Sequence, residues 1–210
     1  MSAKHSCCVY LGEALARYAF GNDHPFGPLR HDAFFKALYS QSLEQRVDIL
    51  DPAITTQEVL ELFHEHSYIE KVKHKSKFGT GYLDQGDTPA FIGMYEAVLA
   101  VTGSVCDAID RLLNKEYRTA FIPIAGLHHA RRHVAAGFCV VNDCGIAIEY
   151  LRHKHNIKRV AYIDIDAHHG DGVFYSFTDD PELSFVDFHE DGRYLYPGTG
   201  DISETGNGEA

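Results

Sequence analysis

The chain has 210 residues, 45% of them apolar, and a formal net charge of −11. That length supports one sizeable core, so residues 1–210 are expected to form a single domain. The negative balance argues against a nucleic-acid binder, which needs a basic face, while it is compatible with a cationic substrate. In chain order, residues 31–39 and 55–63 carry apolar side chains at helical spacing, and Thr55-Thr56 ahead of Glu58 resembles a helix start. Lys71, Lys73, Lys75 and Lys77 form a basic run that reads as a solvated helix face. The segment 78–89, FGTGYLDQGDTP, is rich in Gly and Asp and reads as a loop. A long helix is expected next, because Met94, Val98, Val101, Val105, Ile109 and Leu112 recur every three or four residues.

After Tyr117 the pattern changes. The runs 119–126 (TAFIPIAG) and 159–166 (RVAYIDID) are continuous and apolar, with the amphipathic stretch 143–156 between them. This predicts a strand–helix–strand unit whose strands are buried on both faces of a parallel sheet, in an α/β fold with helices on its flanks. A third strand is expected over 183–189, LSFVDFH, with no room for a long helix before it. Chemistry in such sheets gathers at the carboxyl ends of the strands. There stand His128 and His129, the segment from Asp164 to Asp171, and His189.

The five cysteines, at 7, 8, 106, 139 and 144, include no CxxC pair. They fit reduced thiols better than a disulfide framework. The first ten residues hold no apolar stretch of signal-peptide length, and no run approaches a membrane span. A soluble, cytoplasmic protein with no membrane partner is the expectation.

Within DIDAHHGDG (164–172), an extended strand would put Asp164, Asp166 and His168 on one face, because side-chain direction alternates with period two. Two carboxylates and an imidazole there suit a divalent metal, and a catalytic zinc typically takes three protein ligands and keeps one position open. The structural alternative is a pair of capping aspartates and a hydrogen-bonded histidine. The tandem His128-His129 could likewise be two core or surface side chains. Beside a metal site, however, a histidine can take a proton from water while a carboxylate on its far nitrogen sets the tautomer. Asp164 and Asp171 are two carboxylates available for two histidines.

The segments GLHHARRHVAAGFCVVND (126–143), YIDIDAHHGDGV (162–173) and YLYPGTGD (194–201) resemble the histone deacetylase family, especially its bacterial acetoin-utilisation-type members. GDTPAFIGMYEA (86–97) and HPFGPLR (24–30) extend the likeness toward the N-terminus. The resemblance implies an arginase–deacetylase-like α/β fold and zinc-dependent hydrolysis of an acetylated lysine in a protein, or of an acetylated small amine. It implies Asp166 and His168 as zinc ligands and His129 as general base paired with Asp171. His128 would be the electrostatic partner held by Asp164. Gly137, Phe138 and Tyr196 would wall the tunnel for the acyl-lysine stem, with Asp87 accepting substrate hydrogen bonds at its rim. A structural potassium ion would use Asp164, Asp166, the His168 carbonyl and the position of Asp187. Arg30 matches an arginine lining an internal channel.

Three positions depart from the family pattern. Leu127 replaces a common tryptophan, and Asp187 stands where a serine often binds potassium. The family's remaining zinc-ligand aspartate and carbonyl-polarising tyrosine follow the PGTGD segment, and neither is present before Ala210. The expectation is therefore a domain incomplete at its C-terminus, inactive alone, whose partner is the missing C-terminal segment. An arginase-like binuclear metal hydrolase and a non-catalytic binding protein of the same fold are the competing readings.

Overall fold

The computed structural model describes residues 5–21 and 23–206. In chain order come strand β1 (Cys7–Tyr10), helix α1 (Glu13–Ala16), helix α2 (Leu29–Ser40), a 3-10 turn (Leu43–Gln45) and strand β2 (Asp48–Leu50). Helices α3 (Gln57–Leu60), α4 (His66–Phe78) and α5 (Met94–Leu113) follow, then β3 (Thr119–Phe121), α6 (Asp143–His155), β4 (Val160–Asp164), α7 (Asp171–Ser176) and β5 (Leu183–Asp187). Every strand pairing is parallel, so the chain is α/β as expected.

The strands lie in two ladders among the described residues. One has the order β2-β1-β3, with Val9 opposite both Ile49 and Phe121. The other pairs β4 with β5 in register, Asp164 opposite Asp187. The expected β3–α6–β4 unit is therefore divided between two ladders. Its strands are also shorter and less buried than the apolar runs suggest. In β3 Phe121 is exposed, and Pro123, which has no amide hydrogen to donate, follows two residues on. In β4 the apolar Ile163 faces outward, and Ile165 just beyond it is 82% exposed. β1 and β2, of four and three residues, escaped the sequence reading because alternation needs a longer run to register.

The helices follow their periodicity closely. α5 buries Met94, Ala97, Val98 and Val101 against a core that includes Tyr10, Leu15, Leu60 and Ile69. Only four residues of the 55–63 stretch, Gln57–Leu60, are helical. α6 starts at Asn142, whose side chain accepts the Gly145 N–H. The segment 78–89 is a loop closed by a bridge between Tyr82 and Pro89. All five cysteines are free thiols. No described helix is long and apolar enough to cross a membrane.

Candidate active site

β4 ends at Asp164, and the chain then turns rather than staying extended through His168. The Asp166 N–H donates to Asp164 Oδ1 at 3.0 Å, and the His168 N–H donates to Asp166 Oδ1 at 2.8 Å. Each aspartate side chain thus holds the backbone two residues on, the local bond that lets Asp replace a strand ladder by a turn. The consequence is a separation of roles. Asp164 points into the protein and is 7% exposed, while the side chains of Asp166 and His168 are 52% and 39% exposed.

His128 and His129 are both buried. His128 Nδ1–H donates to Asp164 Oδ2 and His129 Nδ1–H donates to Asp171 Oδ1, each at 2.7 Å. An ionised carboxylate can only accept, so these bonds put the hydrogen on Nδ1 in both rings. The two Nε2 atoms lie 3.1 Å apart. A hydrogen bond at that distance needs one Nε2 protonated and the other bare, so the pair holds a single shared proton.

The electrostatics decide which ring carries it. Burial works against a charge on His128, yet the bond to Asp164 and the charges of Asp164, Asp166 and Asp187 outweigh it and raise its pKa above the ordinary histidine value. Burial also dominates at His129, where Asp171 only partly compensates and the neighbouring His128 opposes protonation, so its pKa is lowered. These opposite shifts favour the shared proton on His128 Nε2, with the His129 Nε2 lone pair as its acceptor. Their carboxylates stay ionised. Burial would raise Asp164, but bonds from His128 and from the Tyr162 hydroxyl (2.6 Å) hold it at about 2. Asp171 is lowered against its burial by His129 and by the Arg131 guanidinium at 3.2 Å.

Asp166 Oδ1 and His168 Nδ1 converge to 2.7 Å. The two are hydrogen-bonded to each other and partly exposed, and a carboxylate oxygen beside an imidazole nitrogen is a chemically suitable pair of zinc donors. No group of three such side chains is assembled among the described residues. The His129 and His168 ring centroids are 5.8 Å apart, so the two pairs are neighbours.

Of the expected tunnel residues, Tyr196 and Gly137 stand against His129. The Tyr196 ring stands edge-on to it at 5.0 Å. Gly137 lies flush against the same ring, where a Cβ would come within 2.3 Å of His129 Cδ2. Phe138 adopts a left-handed φ of 68°, uncommon outside glycine, and is pinned by its N–H to Thr88 Oγ1 and its carbonyl to the Tyr18 hydroxyl. Thr88 Oγ1 also donates to Asp87 Oδ1 at 3.1 Å. Burial and the neighbouring Asp84 carboxylate push Asp87 up to about 6. Asp187 and Asp164 both approach Gly170, where a Cβ would lie 2.6 Å from Asp164 Oδ2 and 3.3 Å from Asp187 Oδ2. Arg30 is exposed at the start of α2 with its guanidinium 4.4 Å from the Phe26 ring centre, so among the described residues it lines no enclosed channel.

Sequence reasoning missed Tyr162, Arg131, Asp84 and Asn142. Tyr162 was legible in principle, two residues before Asp164 on the same strand and so on the same face. Asp84, two residues before a Gly, holds the amides of Gly86, Asp87 and Thr88 as a loop aspartate commonly does. Arg131 and Asn142 act across the fold, and nothing in their local spacing announces that.

The chain is similar to known proteins over most of its length. The histone deacetylase domain family matches residues 24–210. The acetoin utilization protein AcuC of Bacillus subtilis is 39% identical over 199 residues, covering 91% of this chain and 51% of the relative. AcuC of Staphylococcus xylosus is 34% identical over 208 residues, covering 94% of this chain and 53% of the relative. The chain thus spans about half the length of these curated relatives. The crystal structure of the HDA15 HD domain superposes with a TM-score of 0.88 at 23% identity, over 98% of this chain and 60% of that one, and shows the shared fold. By a family match across nearly its whole length, the chain belongs to the histone deacetylase family.

Proposed function

We propose that the protein containing this chain is a zinc-dependent deacetylase, hydrolysing the amide of an acetylated lysine or a related acetylated amine to acetate and free amine. The observation that carries the reading is the pair of buried histidines, each held by a carboxylate at 2.7 Å, meeting at Nε2 beside two open metal donors. Zinc held by Asp166 and His168, with a third ligand from beyond residue 210, would supply Lewis acidity toward the amide carbonyl and a nearby water.

His129 takes a proton from the attacking water on Nε2, and Asp171 stabilises the imidazolium that results. Once His129 Nε2 holds the proton from water it no longer accepts from His128. The His128 Nε2 hydrogen, favoured there by Asp164, then turns to the oxyanion that forms as water adds to the carbonyl carbon. Such a donor contributes on the order of 3 kcal/mol. The C–N bond then breaks, the departing amine takes the proton from His129, and acetate remains. Gly137, Phe138 and Tyr196 wall the approach to His129, and Asp87 accepts hydrogen bonds from the substrate backbone. Asp164 and Asp187, converging on Gly170 with Asp166 and the His168 carbonyl nearby in sequence, are what supports a potassium site.

β5 has no partner on its outer side among the described residues. Val186 and Phe188 are exposed there beside a groove of about 870 Å³. An uncovered strand edge of this kind invites pairing. Residues 1–210 alone are therefore expected to be inactive, to bind zinc weakly and to self-associate, and co-expression with the C-terminal part to restore a compact enzyme.

The test is turnover of a fluorogenic acetyl-lysine peptide by the full-length protein, with metal analysis. Deacetylation with one zinc per chain supports the reading. Two catalytic manganese ions, or binding of the peptide without turnover, would overturn it.

A further inference from the structure

His128 and His129 sit on a stretch without regular structure, between β3 and α6. A loop can hold two rings in register only if its backbone groups are tied to something rigid. Here the tie is the start of α6. The Asp143 carboxylate accepts the N–H of Gly126 at 3.0 Å and of Leu127 at 2.7 Å. Asn142 reaches the other side of the loop, and its Nδ2 donates to the carbonyls of His128 at 3.2 Å and Ala130 at 2.8 Å. Its Oδ1 accepts the Gly145 N–H at 2.8 Å. Its own N–H donates to His64 Nε2 at 2.9 Å.

Asn142 is fully buried, and every donor on its side chain and amide is used. No other residue type of this size offers two hydrogens and an acceptor on one plane. An aspartate would face two carbonyls with no hydrogen to give, and a serine could cap the helix but not reach both. His64 is equally constrained. The Asn142 amide can only donate and the Arg132 carbonyl can only accept, so Nε2 is bare and Nδ1–H donates to Arg132 O at 3.3 Å. The opposite flank is closed by Gly172 of α7, where a Cβ would come within 2.4 Å of the His128 carbonyl and 2.5 Å of the Ala130 carbonyl.

We propose that Asn142, set in place by His64, is a positioning residue for the His128–His129 pair: it clamps the two carbonyls flanking His129 to the rigid start of α6. The proposal rests on the deacetylase reading above, and its test is arranged so that the two can fail separately. In the full-length protein, Asn142→Ser keeps a capping oxygen for α6 but removes both donors to the loop. It should lower kcat by roughly 10–100-fold, the scale of small misplacement of reacting groups, with KM within about twofold and zinc content unchanged. His64→Leu should lower kcat in the same way, and His64→Gln, which restores an acceptor near Nε2, should recover much of it.

Low-field NMR signals of the His128 and His129 Nδ1 protons give a readout independent of turnover. They should shift or broaden in Asn142→Ser. Wild-type protein without turnover would defeat the deacetylase reading, and the proton signals alone would then decide this one. A folded Asn142→Ser with native kcat and unchanged signals would overturn the clamp. If Asn142→Ser does not fold, the His64 pair decides, and native kcat in His64→Leu overturns it.

Discussion

The two halves of the site are built in opposite ways. The acid–base half is enclosed: His128, His129, Asp164 and Asp171 are all buried, and each ring has a carboxylate of its own. The donor half is open, with Asp166 and His168 bonded chiefly to each other on an exposed turn. Burial lowers both histidines alike, and their partners separate them: Asp164, Asp166 and Asp187 raise His128, whereas at His129 the neighbouring His128 and His168 oppose Asp171. Exposure leaves room around Asp166 and His168 for the cation and further ligands that the proposed function requires. On the proposed reading, both histidines and both their carboxylates lie within this chain, together with two of the three zinc ligands.

Several substitutions in the full-length protein sharpen that contrast. The largest effect should come from the open half, where Asp166→Ala with His168→Ala removes both donors and should abolish measurable turnover. In the enclosed half, His129→Ala should lower kcat by about 10²–10⁴-fold, the usual scale for a general base. Asp171→Asn should fall in a similar range, because an amide can donate to Nδ1 and move the hydrogen to Nε2, leaving no lone pair for the proton. Steady-state kinetics on protein with verified zinc content checks both. Near-native kcat in either would break the assignment.

A smaller effect is expected at the rim. Asp87→Asn should raise KM by about 10-fold with little change in kcat, in keeping with loss of a hydrogen bond to a charged group. Because burial and Asp84 place Asp87 at about 6, protonation removes its charge as pH falls below that value. Wild-type KM should therefore rise below pH 6, and the Asn variant should lack that inflection. An identical KM–pH profile in the two proteins would exclude the role.

The smallest effect concerns stability. Burial without a counter-charge, in addition to the nearby Arg132 guanidinium, lowers His64 from 6.5 to about 3 despite its bond to the Arg132 carbonyl. The unfolded chain then takes up a proton that the folded chain refuses. The stability from a neutral His64 is present in full above about pH 6.5 and is lost progressively as pH falls toward 3. At pH 5 the loss is on the order of 2 kcal/mol. Denaturant titrations should show wild type losing more stability than His64→Gln between pH 7 and pH 5, and parallel curves would contradict this.

The two halves were also unequally legible in the sequence. The long apolar period of α5 and the amphipathic 143–155 stretch announce their helices because burial on one face is written at every turn. Two carboxylates and two histidines at strand ends were legible from the residues, and which pairs with which came from the family resemblance. The placing of Asp166 and His168 was not. Alternation put them beside Asp164 on a continuing strand, but a side-chain bond from Asp164 to the Asp166 amide ends that strand early. The burial of the strands was misread for a related reason. An apolar run records what finally covers a surface, and Ile163 and Ile165 are uncovered among the described residues. Asn142 was invisible because its partners lie 12 and 14 positions away, through a loop whose path no period encodes.

The most direct test of this division is metal content compared across its two halves in the full-length protein. Zinc should remain at one equivalent per chain when His128 and His129 are both replaced by alanine, although turnover is lost. It should fall away when Asp166 and His168 are replaced, by more than the roughly 10–100-fold weakening typical of outer-shell changes. One tightly held zinc per chain in the Asp166→Ala, His168→Ala protein would contradict the account.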